Sequence, residues 1–243
     1  MNEKKFNKWF NAFILVGMFI TVAILNVIKF QDPSSRMLWQ GIATLGALAG
    51  VVNVVLSAKG SIWNYLFGLI DVLAMTAVTL EASLNNANPT WGLFFMHACF
   101  LLPMQFVGIW QWRKRGADSS TSVRARRLTG RQWIVTIAAI AVLDIILYYV
   151  LDFAGAHGQF NTVIFFDTVV VALSVAGQVL MSLAFSDQWF IWISVNVASV
   201  VLFFFKSKSS EADAYTVVYM IKYIFYLINS VNGLRIWLKL SRK

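Results

Sequence analysis

The stretch Gln188-Trp189-Phe190-Ile191-Trp192-Ile193-Ser194-Val195-Asn196 decides how the chain is read, because it opens an apolar run with no charge between Asp187 and Lys206. That run is long enough to cross a bilayer as a helix. Trp189, Trp192 and Asn196 fall at i, i+3 and i+7, so two indoles and a carboxamide share one helical stripe. Lipid offers an Asn side chain no hydrogen-bond partner. Asn196 should therefore face protein or a wet cavity, with the indoles lining the same place. The plainer alternative is an interfacial tryptophan belt plus an interhelical hydrogen bond. Trp189 alone suits a belt; Trp192 and Asn196 lie too deep for one.

The same apolar character runs through the chain. Of its 243 residues 59% are hydrophobic and 13% charged, with a mean hydropathy of +0.69; soluble domains carry about 25% charged residues. This is an all-α integral membrane protein. Eight transmembrane helices are expected, at about 9–30, 37–57, 61–80, 90–112, 132–151, 161–185, 188–205 and 214–240. The first run is too long for a signal-peptide h-region and ends in Lys-Phe-Gln-Asp-Pro without a small-x-small site, so it reads as an uncleaved helix. Turn signals separate the runs: Asp32-Pro33-Ser34-Ser35, Ala58-Lys59-Gly60, the polar 85–89 segment and the mixed-charge 206–213 segment.

The net charge of +9 would suit a nucleic-acid partner, but its distribution excludes one. Most of the 20 Lys and Arg residues sit at the N-terminus, at Lys59, in the linker 113–131 and at the C-terminus. The opposite side holds Lys29, Arg36, Lys206 and Lys208, while Lys222 lies inside a helix. The positive-inside rule puts both termini and the basic linker in the cytoplasm, and an even number of spans agrees. The lone Cys99 excludes an intrachain disulfide and a cysteine-rich metal site, and reads as packing. There is no Gly-x-x-x-x-Gly-Lys-Ser/Thr loop, no His-Glu-x-x-His, no nucleophile elbow and no paired His/Cys set. No catalytic residue, metal or cofactor is expected, and no enzyme.

An ungapped shift of 125 residues aligns helices two to four with helices six to eight. It pairs Asn53 with Gln178, Ser57 with Ser182, Phe67 with Trp192, Asp71 with Asn196, and Gly108-x-x-x-Trp112 with Gly233-x-x-x-Trp237. Apolar matches are cheap between membrane helices; polar and Gly/Trp matches at one shift are not. The expected organisation is an N-terminal helix (1–30), a first three-helix bundle (37–112), a basic linker with a connecting helix (113–160) and a second three-helix bundle (161–243). Parallel repeats imply a pseudo-two-fold axis along the membrane normal and a site near the midplane, with Asp71 and Asn196 facing one another. A plain eight-helix bundle with polar interhelical contacts is the alternative.

Other polar groups at depth extend the candidate site. Helix eight carries Tyr215, Tyr219, Lys222, Tyr226, Asn229 and Gly233 on one face, with Asn232 beside it. Asn229 and Asn232 suit hydrogen bonding to a solute, and Lys222 can snorkel. In helix four, Pro103 frees a carbonyl one turn earlier and can kink the helix beside Gln105 and Phe106. Gln178 and Asn53 lie toward the cytoplasmic third. Asp71 is costly at mid-bilayer unless paired, wet or protonated, and reads as a counter-charge, a proton site or a structural hydrogen bond.

Four segments carry a resemblance: Trp189-x-x-Trp192-x-x-x-Asn196, Lys59-Gly60…Asn64-Tyr65-x-Phe67-Gly68, Gln105-x-x-Gly108-x-x-x-Trp112 and Asn229-x-x-Asn232-Gly233. Together they resemble the PnuC nicotinamide riboside transporters, over nearly the whole chain except helix one and the basic linker. The resemblance implies a bacterial inner-membrane transporter with a three-plus-one-plus-three arrangement like that of SWEET sugar transporters, assembled as a homotrimer. It further implies facilitated diffusion of nicotinamide riboside, trapped inside through phosphorylation by a cytoplasmic riboside kinase. A flat cationic ring suits indole faces, where stacking and cation–π attraction contribute about 0.5–2 kcal/mol. Trp189 and Trp192 would take the ring. Asn196, Gln105 and Asn229 would take polar groups, with Asp71, Gln178, Asn232 and Phe106 around them. Thiamine, another flat cation carried by the same superfamily, is the near alternative, and a retinal-type photoreceptor using Lys222 the distant one.

Overall fold

A membrane helix ends where its backbone is turned away from the helical path, and two such stops organise this molecule. In the computed structural model of the chain, which describes residues 3–30, 37–85, 94–155, 162–208 and 214–242, eight α-helices follow one another. They are α1 Glu3–Phe30, α2 Met37–Ala58, α3 Asn64–Asn85, α4 Leu102–Lys114, α5 Gly130–Gly155, α6 Thr162–Ser182, α7 Gln188–Lys206 and α8 Ala214–Leu240. No strand occurs among the described residues, only an isolated bridge between Arg126 and Phe185. The turn expected at Asp32–Ser35, most of the 85–89 segment, residues 209–213 and the side chains of Tyr215 and Tyr219 lie outside the described residues.

Six helices, α1 to α3 and α5 to α7, are long and apolar enough to cross a membrane. The other two are α4, an α-helix of 13 residues, and α8, which carries Lys222, Arg235 and Lys239. The outward faces match a lipid solvent. On α5, Ile134, Val135, Ile137, Val142, Ile145 and Ile146 are all more than half exposed. Water would drive such a surface to aggregate, whereas hydrocarbon accepts it.

The chain forms two compact units, Met1–Arg124 and Ala125–Lys243. In the first, α1 packs on α2, α2 on α3 and α3 on α4; in the second, α5 packs on α6, α6 on α7 and α7 on α8. Thus α5 holds the place in the second unit that α1 holds in the first. Asn26 ties α1 to α2: Gln40 Nε2 donates to its backbone carbonyl at 3.3 Å and the Thr44 hydroxyl donates to its side-chain oxygen.

Each unit contains the same helix stop. After α2, Gly60 N–H donates to Ser57 O and Ser61 N–H to Leu56 O, with Gly60 at φ +67°. After α6, Ala184 N–H donates to Met181 O and Phe185 N–H to Leu180 O, with Ala184 at φ +59°. Both are Schellman turns, in which the N–H of a left-handed residue and that of the next residue return to the last carbonyls. The sixth helix, expected to reach residue 185, stops at Ser182 because Ala184 adopts that conformation. The turns also stand 124 residues apart rather than 125, as do the helix starts Asn64 and Gln188. A one-residue slip sacrifices few matches when nearly every partner is apolar, so the sequence comparison did not resolve it.

Ahead of α4 the helix widens. Met96–Leu101 is π-helical, and Leu102 N–H donates to His97 O. Pro103 has no N–H to give and its ring crowds the carbonyl four residues back, so a wider ladder before it is a local accommodation. Cys99, expected to be a packing residue, is exposed on this segment.

The basic linker is fastened to the two stops. In the first unit Val123 N–H donates to Gly60 O at 3.0 Å and Ser122 Oγ to Lys59 O at 3.0 Å. In the second, Arg126 N–H donates to Ala184 O, and Ser186 N–H donates back to Arg126 O at 2.8 Å. The buried Asp187 carboxylate accepts from Leu128 N–H at 3.0 Å and Trp133 Nε1 at 3.2 Å, anchoring the approach to α5.

Candidate substrate site

The stripe on α7 is set by contacts with α6 on one side and α8 on the other. Trp189 is buried and its ring lies flat over Gly233 of α8: a Cβ there would come within 2.7 Å of three ring carbons. Only a glycine admits that approach. The same indole meets Trp237 edge-on, with ring centroids 6.3 Å apart at 63°. Its Nε1 is buried without a hydrogen-bond partner. Half-buried Trp192 rests on Gly177 of α6, where a Cβ would come within 3.0 Å of the ring.

Asn196 completes the stripe. Its Nδ2 donates to Ser230 Oγ on α8 at 2.9 Å, and that hydroxyl donates on to Tyr226 O at 2.8 Å. Asn229, beside Ser230, is buried, as is Asn232, whose Oδ1 accepts from Arg235 Nε at 3.1 Å while its Nδ2 has no partner. Gln178, next to Gly177, is buried and donates through Nε2 to Ser182 Oγ at 3.2 Å. In the second unit Trp189, Trp192 and Asn196 thus meet Gly177 of α6 and Gly233 and Ser230 of α8, and the buried amides Gln178, Asn232 and Asn229 are the chain neighbours of those three contacts. Such amides exchange hydrogen bonds readily with a polar solute.

The first unit gathers a different set. Gln105 of α4 is buried, and its Oε1, without a hydrogen-bond partner, lies 2.6 Å from where a Cβ on Gly68 of α3 would stand. Asn53 Nδ2 lies 3.3 Å from the same point. The half-buried Asp71 side chain sits against α2, where Cβ atoms on Gly46 and Gly50 would come within 3.5 Å and 2.8 Å of its carboxylate oxygens. Phe106 stands apart from Gln105: it is 57% exposed on the outer surface of α4. Consecutive helical residues point about 100° apart, and only one of the pair can face inward.

Several residues of these contacts carry no candidate role in the sequence alone. Ser230 receives Asn196 but is an ordinary serine in an apolar run. The glycine seats at 46, 50, 68 and 177 carry no side chain to draw attention. Asn64 and Gln188, the first residues of α3 and α7, are fully buried with neither amide atom hydrogen-bonded. Asp144, which the pattern did not place, borders a hollow of about 370 Å³ with Trp133, Leu173, Phe190 and Ser194, and its Oδ1 has no partner. Among the described residues no cluster of His, Cys, Asp and Glu could hold a metal ion.

Residues 40–239 match the family model described as nicotinamide mononucleotide transporter. The nicotinamide riboside transporter PnuC of Neisseria mucosa is 32% identical over 98% of this chain and 85% of its own length. The protein of the same name from Haemophilus influenzae is 29% identical, covering 97% and 90%. A crystal structure of the vitamin B3 transporter PnuC superposes with a TM-score of 0.64 at 31% identity, covering 95% of this chain and 92% of that one.

Proposed function

The chain belongs to the nicotinamide mononucleotide transporter family, and from that premise we propose that it carries nicotinamide riboside across the membrane. The observation that carries this reading is the α7 stripe of Trp189, Trp192 and Asn196, seated against Gly233, Gly177 and Ser230. A pyridinium ring is flat and cationic, and an indole face attracts it by stacking and cation–π interaction. The ribose hydroxyls and carboxamide need neutral donors and acceptors, which Asn196, Asn229, Gln178, Asn232 and Gln105 supply. Asp71 offers a negative charge, and Phe106 is the outlying member of the set.

The family description says mononucleotide and the relatives' names say riboside, and the two differ by one phosphate. A buried phosphate calls for cationic donors. The stripe and its hydrogen-bond partner, Trp189, Trp192, Asn196 and Ser230, offer indole, amide and hydroxyl, and the Arg235 guanidinium is engaged with Asn232 Oδ1. That chemistry favours the riboside.

The finer parts of the proposal are eight crossings, both termini in the cytoplasm of a bacterial inner membrane and a parallel repeat around a midplane site. The two matching helix stops and the matching packing order support the repeat; the Lys and Arg distribution supports the orientation. Facilitated diffusion, a homotrimer and trapping by a cytoplasmic riboside kinase rest on the family resemblance. Calorimetry on the purified protein decides the substrate. Binding of nicotinamide riboside well above nicotinamide mononucleotide and thiamine is expected, and tighter binding of either competitor would reassign it.

A further inference from the structure

We propose that the linker after α4 forms a binding site for the phosphate of an anionic phospholipid. A hollow of about 410 Å³ is lined by Arg113, Lys114, Arg115, Gly116 and Arg124, with no carboxylate among them. Like charges in water drift apart unless something holds them. Here Arg124 N–H donates to Arg115 O at 3.1 Å and Arg115 Nε donates to Arg124 O at 2.7 Å, clamping two arginines nine positions apart. The clamp needs the chain to reverse, and Gly116 at φ +79° allows it. Arg113 and Arg124 are exposed, and their guanidinium forks match two phosphate oxygens.

The depth of the hollow selects the source of the phosphate. Lys114 Nζ stands 3.6 Å from the ring centroid of Trp110, which is 54% exposed. Exposed Trp63 donates through Nε1 to Ser119 O in the same linker at 3.3 Å. Exposed indoles at a helix end mark the boundary between acyl chains and headgroups, so the arginines beyond Trp110 stand at the level of lipid phosphates. The inference requires this end of α4 to meet an anionic leaflet; it does not depend on the transported substrate.

The full chain, purified in detergent and offered equal phosphatidylglycerol and phosphatidylcholine, is assayed by native mass spectrometry for retained lipid. Preferential retention of phosphatidylglycerol is expected, falling on the order of fivefold per cation removed in Arg113→Gln/Arg124→Gln. Lys208→Gln, a cation outside the hollow, leaves it unchanged, and Arg113→Lys/Arg124→Lys, which keeps both charges, retains an intermediate preference. Riboside calorimetry on the same variants reports folding independently. Equal retention of the two lipids, or an unaltered preference in the glutamine double variant, overturns the site. Saturation by inorganic phosphate at millimolar concentration with no lipid preference would assign the hollow to a soluble anion and overturn the lipid.

Discussion

The two units use one scaffold to hold different contents. Each has a left-handed stop, Gly60 or Ala184, then a fully buried amide opening the next helix, Asn64 or Gln188. Each follows with an aromatic ring laid over a glycine and edge-on to a buried tryptophan: Tyr65 on Gly108 with Trp112 at 5.0 Å and 82°, Trp189 on Gly233 with Trp237 at 6.3 Å and 63°. One turn further the correspondence inverts. Where α2 offers Asn53 and α3 has Gly68, α6 has Gly177 and α7 offers Trp192. The small residue has changed sides, and the space it releases goes to the amides of Gln105 and Asn53 in one unit and to an indole in the other.

The shared frame can be broken most severely at its glycines. Gly108→Ala would put a methyl 2.2 Å from the Tyr65 ring, and Gly233→Ala one 2.7 Å from Trp189. Each should destabilise the protein by about 1–3 kcal/mol, read as a lower midpoint in detergent unfolding. Adding Trp189→Leu should relieve Gly233→Ala and leave Gly108→Ala unrelieved; relief of both would mean the rings are not wedged where described.

The exchanged filling is tested next. Trp192→Ala should weaken riboside binding about tenfold, roughly 1.4 kcal/mol, by calorimetry. Phe67→Ala, next to Gly68, which stands in the first unit where Trp192 stands in the second, should have a smaller effect. Equal losses would erase the distinction between the units.

Smaller effects should separate the two stops. Gly60→Ala imposes a left-handed alanine and should cost about 1 kcal/mol. Ala184→Gly relieves that strain but deletes a fully buried methyl, so the two contributions roughly offset. Thermal unfolding of the pair should show one clear loss and one near-zero shift.

The least effect concerns Asp118. Backbone N–H groups of Ser120 and Thr121 hold its carboxyl below the usual carboxylate range. A depressed carboxylate contributes order above its unfolded pKa and loses it as the pH falls through the folded one. Protection of the Ser120 and Thr121 amides, taken relative to their intrinsic exchange rates, should therefore hold at neutral pH and fall only in acid. Asp118→Asn should lower that protection at neutral pH and make little difference in acid.

The existence of these elements was legible in the sequence because hydropathy and turn residues write it there. Eight apolar runs became eight helices, with α2, α7 and α8 starting at the residues expected. The polar side chains of the stripe were legible for the same reason: in an apolar run, Asn196 is conspicuous. What stayed hidden depends on partners from other helices. Nothing local to Asn196 names Ser230, and nothing in Gly177 announces an indole. Phe106 was grouped with Gln105 by adjacency, although neighbouring helical residues diverge. The left-handed Ala184 was hidden because alanine rarely adopts that conformation.

The glycine seats carry a mechanical consequence. Membrane helices can be held apart by their side chains or allowed together by bare backbone, and here they are allowed together: side chains lie against glycine at Gly50, Gly68, Gly177 and Gly233. Helices in such contact have no slack left for lateral pressure to take up. Squeezing the bilayer cannot bring these helices closer, while one added methyl group would force them apart.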